Sequence, residues 1–232
     1  MLFLNLMLLQ KADLVNEDAS NLAKQSILDV ILSSGPVGVT IISILIILSF
    51  VAAVIFFERV FTIRRFDQTD PNFMHNIKTY VQSGNLQAAH ALCKTTDSPT
   101  ARVIEKGLSR IGQPMLDIER SMETAGKVEV YHLENKLGFL SLIAKLAPMF
   151  GFVGTIMGVI KIFYDISLTD NLSIGNISGG LYQKMITSAS GLMVGILAFL
   201  GYYILTMMID RVINRIERAS MELIDLLHEP TK

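Results

Sequence analysis

The stretch from Leu146 to Tyr164, LAPMFGFVGTIMGVIKIFY, constrains this chain most. It is almost wholly apolar and long enough to cross a bilayer core of ~30 Å. It is also full of small residues: Gly151, Gly154, Thr155 and Gly158 recur at spacings of three and four, which places them on one stripe of a helix. Lipid tails gain nothing from such a stripe, whereas a neighbouring backbone can approach closely along it. Thr155 supplies one hydroxyl at mid-depth. A helix of this kind expects close neighbours, and it has room for a polar path along its face.

Two further apolar stretches share the chain. Val37 to Phe57 holds 21 residues without a charge and reads as a first span. Glu58 and Arg59 stop it, and Arg64 and Arg65 follow. About Leu181 to Ile209 reads as the last span, with Ser188, Gly191, Gly195 and Ala198 repeating the small-residue stripe. Thr187, Ser188 and Ser190 gather hydroxyls in its first half, and Gln183 and Lys184 sit at its mouth. Asp210, Arg211, Arg215 and Arg218 end it. The composition agrees with three spans, since 51% of the 232 residues are hydrophobic and the formal net charge is only −1. That balance gives no reason to expect a nucleic-acid partner. Arginines gather beyond the first and last spans, while Asp165 to Gly180 holds no Lys or Arg. The positive-inside rule then puts the N-terminus outside the cytoplasm and the C-terminus inside.

The rest of the chain fits around these spans. Residues 1–35 open with MLFLNLMLLQ, a weak signal-peptide candidate without a basic start, better read as an interfacial helix. The predicted layout continues with a first transmembrane helix over 36–58, a cytoplasmic helical domain over 59–138 and a second transmembrane helix over 139–164. An outer loop over 165–182, a third transmembrane helix over 183–209 and an amphipathic cytoplasmic helix over 210–232 complete it. The cytoplasmic insertion reads as short helices. Asp70 is a possible cap before Pro71; Ser83-Gly84-Asn85, Asp97-Ser98-Pro99 and Gly112-Gln113-Pro114 are breaks. From Met115 to Tyr164 only Gly126, Gly138 and Pro148 interrupt, so one very long helix is expected, running from cytoplasm into membrane. The fold class is all-α, a membrane protein with three transmembrane helices and long cytoplasmic helical extensions.

Catalytic chemistry finds no foothold. His75, His90 and His132 are scattered without metal-ligand spacing, so neither metal nor cofactor is expected, and the chain does not read as an enzyme. Cys93, the single cysteine, reads as a small buried hydrophobe. Lys161 and Asp165 stand four residues apart at the outer end of the second span, either as a snorkelled pair or as charges facing a vestibule. No span holds an Asp or Glu in its apolar middle. Hydroxyls cannot by themselves bind and release protons near neutral pH. If protons cross here, the titrating acid belongs to a partner helix lodged against Thr155 and the hydroxyls of the third span. The alternative is that stripes and hydroxyls only tighten helix packing, as in a non-conducting membrane scaffold.

Several of these stretches resemble one family. Phe56-Phe57-Glu58-Arg59, Gly84-Asn85-Leu86 with Cys93, and Ser98-Pro99 with Ala101-Arg102-Val103 are similar to segments of the MotA/TolQ/ExbB proton-channel family, closest to its ExbB branch. Ala147 to Gly158 matches its APLLGLLGTVWG pattern, and Met185 to Leu192 its LLATAIGL segment. The resemblance implies a homo-oligomeric ring, a pentamer, around an ExbD-like single-span partner that supplies a membrane aspartate. It implies a bacterial inner-membrane location and coupling of the proton motive force to a TonB-like protein; TolQ-like envelope maintenance and a MotA-like stator are variants. Thr155 and Ser188 match the family's two pore threonines, with Thr187 beside them. Gln183 stands where the family usually has glutamate, and Leu197 where it has proline.

Overall fold

The computed structural model describes residues 35–67, 72–169 and 174–228, and these are helical with short turns. The helices are α1 (Gly35–Asp67), α2 (Phe73–Gln82), α3 (Leu86–Thr95), α4 (Pro99–Leu108), α5 (Met115–Glu134), α6 (Leu137–Thr169) and α7 (Ile174–His228). Among them, α1, α6 and α7 are long and apolar enough to cross a membrane. The N-terminal segment and the Asp70 cap lie outside the described residues.

Two expectations of the sequence are corrected. The very long helix from Met115 is interrupted at Asn135 and Lys136, not at any glycine or proline. Asn135 turns to φ −53°, ψ 137°, and Lys136 takes φ 68°. A left-handed lysine costs about 1–2 kcal/mol. It is offset by contacts invisible to local pattern: Lys136 pairs with Glu58, and Leu133 and Leu137 on either side of the break are buried. Pro148, by contrast, lies inside α6 without ending it. The second correction concerns the outer loop over 165–182. Helix α6 continues to Thr169 and α7 begins at Ile174, so most of that segment is helical. Helix α1 likewise runs past Glu58 to Asp67, and the last span and the C-terminal helix are one element, α7.

The described residues fall into two compact units. One takes residues 35–49, 145–169 and 174–196; the other takes 50–67, 72–144 and 197–228.

In the first unit α6 and α7 meet backbone to backbone. A Cβ added at Gly191 would lie 2.6 Å from the Ala147 carbonyl oxygen and 2.8 Å from Gly151 Cα. One added at Gly151 would lie 3.0 Å from the Ser188 carbonyl oxygen. One turn on, a Cβ at Gly154 would lie 3.0 Å from Thr187 Cγ2, and Gly158 receives the aliphatic stem of Lys184. The residues met along α6 (191 and 188, then 187, then 184) fall in descending order, the mark of an antiparallel pair. Ile41 and Leu45 of α1 bury against Ala147, with Phe150 and Val194 packed beside them.

In the second unit the sequence builds each short helix locally. Asn85 Oδ1 accepts from the Ala88 amide at 3.1 Å to start α3, and Ser98 Oγ accepts from the Ala101 amide at 3.1 Å to start α4, with Pro99 in its first turn. Gly84 and Gly112 hold φ of 73° and 96°, which side chains adopt only at a cost. Ile77, Ala89, Cys93, Ala101, Ile104 and Leu108 are buried, and Gly107 admits Met122 of α5 and Leu223 of α7 together. Arg102 binds Glu129 in a fork, Nε to Oε1 at 2.9 Å and Nη2 to Oε2 at 2.7 Å. Its guanidinium also stands over the Phe66 ring and reaches Asp97. Such bidentate pairs add geometric specificity to modest energy. Phe56 of α1 and Leu140 of α6 close on Gly201.

Two measurements test this packing. Gly191→Ala forces backbones apart and should destabilise the detergent-solubilised protein by about 1–3 kcal/mol. Gly138→Ala meets nothing within 4 Å and should stabilise by about 0.5–1 kcal/mol through helix propensity, with Gly154→Ala between, because its neighbours are side chains. Unfolding midpoints in the same order would match; equal midpoints would refute the backbone contact. Burial, and secondarily the charge of Glu105, pushes the Cys93 thiol up to about 12. Cys93 should therefore resist iodoacetamide at pH 8 in the native protein and react fully in denaturant.

Candidate functional site

Three hydroxyl residues of the spans, Thr155, Thr187 and Ser188, converge on one seam of the first unit. Thr155 lies on α6 between Gly154 and Gly158, the two positions that bring α7 near. Its Oγ1 donates to the Gly151 carbonyl at 3.2 Å, one turn back on its own helix, and to the Lys184 carbonyl at 3.3 Å across the seam. A threonine bonding its own i−4 carbonyl is common in membrane helices. A donor shared with the facing helix is not dictated by that habit. It requires α7 to come within hydrogen-bond reach of α6, which the glycines allow.

Thr187 and Ser188 stand opposite and differ. Thr187 is buried at 1% exposure, against Gly154, and its Oγ1 has no hydrogen-bond partner among the described residues. An unpaired buried hydroxyl costs about 1–3 kcal/mol. Ser188 is half-buried, with its Cα and carbonyl against Gly151. Ser190 is satisfied within α7, donating to Ile186 at 2.9 Å. The structure thus brings Thr155, Thr187 and Ser188 to one seam. Of Gln183 only the backbone, within α7, is described.

The glycine stripes are explained inside one chain. Gly151, Gly154 and Gly158 each receive a particular part of α7, and Gly191 receives the backbone of α6. Gly195 is buried as well. The stripe therefore serves intrachain packing first, and the hydroxyls are what that packing leaves for chemistry. Among the described residues, nothing along the seam is acidic. It can hold a hydrogen-bonded proton donor or acceptor, and it cannot supply one that titrates near neutral pH.

Lys161 and Asp165 are both exposed on α6. Lys161 lines a cavity of about 330 Å³ that it shares with Tyr164 and with Lys184 of α7. Sequence reading placed Lys184 only at the mouth of its span. Its fitted stem over Gly158, and its place beside Lys161, come from helix register, which no local pattern reveals.

In the second unit Arg59 is buried at 7% exposure, and its Nε meets no acceptor among the described residues. The hydrogen bonds that Arg102 donates to the Glu129 carboxylate raise its pKa, so that guanidinium stays charged at every pH of interest.

The family model for the MotA/TolQ/ExbB proton channel family matches residues 95–218, more than half of the chain. An ExbB-homologue biopolymer transport protein of Methanothermobacter thermautotrophicus is 26% identical over 185 residues, 79% of this chain and 64% of the relative. The Tol-Pal system protein TolQ of Haemophilus influenzae is 28% identical over 93 residues, 40% of this chain and 41% of its own. The biopolymer transport protein exbB1 of Vibrio cholerae is 30% identical over 90 residues, 38% of this chain and 40% of its own. The chain thus spans less than two thirds of the length of these relatives. The matched region takes in α4 to α6 and most of α7, Thr155 and Ser188 included, and on that match the chain belongs to the MotA/TolQ/ExbB proton channel family.

Proposed function

We propose that this chain is a proton-channel and motor subunit of an ExbB–ExbD-type complex in the bacterial inner membrane. It uses the proton motive force to energise TonB-dependent outer-membrane transport. The observation that carries the reading is the hydroxyl seam: Thr155 shared between two backbones, Thr187 buried with an unspent hydroxyl, and Ser188 half-buried beside it. Family membership supports it, as do relatives whose names include biopolymer transport.

The mechanism follows from what the seam lacks. These side chains hydrogen-bond but do not titrate, so the acid comes from an ExbD-like single-span partner bearing a membrane aspartate. Desolvation raises the pKa of such an acid, while hydroxyl donors stabilise its ionised form. A carboxyl moving between protonation states would therefore gain or lose contacts with Thr155 and Ser188, which couples proton passage to motion of the partner helix. Several copies of the chain, five by resemblance, surround that partner. The N-terminus is periplasmic and the C-terminus cytoplasmic, and a TonB-like protein receives the motion. A TolQ-like role in envelope maintenance shares this chemistry and is favoured by the TolQ relatives.

The test is Thr155→Val with Ser188→Ala, which keeps bulk close and removes both hydroxyls. Growth that depends on energised uptake should fall about tenfold or more, the scale of a hydrogen bond to a charged group. Native mass measurement should show the assembly intact. Unchanged growth would refute the channel role and leave the scaffold. Loss of detergent resistance with normal uptake would assign the chain to envelope maintenance.

A further inference from the structure

In the second unit, α5 and the last part of α7 leave a groove between them. It measures about 570 Å³, and its lining recurs at steps of three and four on both helices, from Glu119 to Val130 on α5 and from Ile213 to Ile224 on α7. Each wall is therefore one helical stripe, about 17 Å long at 1.5 Å per residue. The groove meets water rather than hydrocarbon. Between Asp210 and Asp225, α7 also carries Arg211, Arg215, Glu217, Arg218 and Glu222, a density of charge that is costly in a bilayer.

Its floor is apolar and open. Met122 and Ile216 are buried at the base, Val130, Ile213 and Ile224 are half-buried, and Met221 stands 57% exposed. Packing within the chain does not account for Gly126 in the middle of the α5 wall. A Cβ there would meet only Ile216 Cγ2, at 4.0 Å, whereas Gly107 and Gly201 are filled by side chains of neighbouring helices. A glycine inside a helix is unfavourable relative to alanine; what the bare backbone admits here is close approach from outside. The rim is acidic. Of the described residues lining the groove, Glu119, Glu123 and Glu217 are carboxylates, and Lys127 is the one cation, bonded to Glu123 at 2.7 Å.

We infer that this groove docks an amphipathic helix of a partner protein whose apolar face is flanked by Lys and Arg. Its large apolar side chains lie along Val130, Ile213 and Met221, its backbone comes nearest at Gly126, and its cations meet Glu119, Glu123 and Glu217. Two matched helical walls fit a helix about three turns long. The carboxylates favour a basic helix over an acidic one and steer its approach. A second copy of this chain is the poorer occupant. The basic residues it offers along the same stretch of α5, Lys106, Arg110 and Arg120, themselves line a hollow of about 710 Å³ between α4 and α5, and one hollow does not fill another. Docking here does not depend on the proposed proton path.

The experiment places the full chain in phosphatidylcholine nanodiscs and adds a fluorescein-labelled peptide about four turns long, with leucine at helical steps of three and four and lysine between. One counterpart carries glutamate in place of lysine, and another holds the same residues in scrambled order. Fluorescence anisotropy, taken above that of empty nanodiscs, reads the affinity. The lysine peptide should bind about tenfold tighter than either counterpart. Glu119→Gln with Glu217→Gln should weaken it about fivefold. Gly126→Leu, which fills the floor, should weaken it about tenfold or more. Both variants should keep the melting profile; if Gly126→Leu lowers the midpoint, the glutamine pair carries the test alone. Equal affinity for the three peptides, or wild-type affinity in a stable Gly126→Leu protein, would overturn the site. Wild-type affinity in the glutamine variant would overturn the choice of a basic partner. A Gly126→Leu protein of smaller native mass that still binds the peptide as the wild type does would assign the groove to a second copy instead.

Discussion

The contact on which the membrane-facing architecture depends is backbone against backbone, where Gly191 of α7 meets Ala147 and Gly151 of α6. Between apolar helices in lipid there is no hydrophobic drive to associate, so close packing and hydrogen bonding must hold them. Small residues at the crossing do both. It brings many atoms into dispersion range, and it brings the Lys184 carbonyl within reach of Thr155. The same closeness buries Thr187 against Gly154 and lays the Lys184 stem over Gly158. One small-residue stripe therefore determines where the hydroxyls and the cations of the first unit sit.

Along α7 the buried positions keep one helical period while their size changes. Thr187, Gly191, Gly195 and Ala198 are buried in the first part; Leu205, Ile209, Val212, Ile216, Ala219 and Leu223 follow. Helix α6 shows the same change in reverse, from Leu137, Leu140 and Ile143 to Ala147, Gly151, Gly154 and Gly158. Beyond the expected spans 139–164 and 183–209, at Leu137 and from Val212 on, the solvent adds a reason. Where water surrounds a helix, burying large apolar side chains is favourable at about 25 cal/mol per Å². Where lipid surrounds it, that gain vanishes and only tight fit remains.

Electrostatics divides along similar lines. In the second unit several charges are paired: Arg102 forks onto Glu129 and touches Asp97, Lys127 pairs with Glu123, and Lys136 with Glu58. Exposed pairs of this kind contribute little each. The Lys136 pair matters more for geometry, since it anchors the left-handed residue that separates α5 from α6. Arg59 is different, buried with no acceptor for its Nε among the described residues.

Composition and period alone determined that this is a three-span helical protein. Uncharged runs of about twenty residues leave no alternative in a bilayer, because unpaired backbone groups in hydrocarbon cost too much. The short helices of the insertion were equally legible, because Asn85, Ser98, Pro99, Gly84 and Gly112 act within one or two turns of themselves. The hydroxyls and glycines of the site were visible as stripes, and the stripe spacing placed them on matching faces. What only tertiary structure decided is which atom meets which. The break at Lys136, the sharing of Thr155 between two carbonyls, the burial of Thr187 rather than Ser188, and the meeting of Lys161 with Lys184 all depend on the register of one helix against another. Register is set by contacts between residues far apart in sequence, and local pattern carries no information about them.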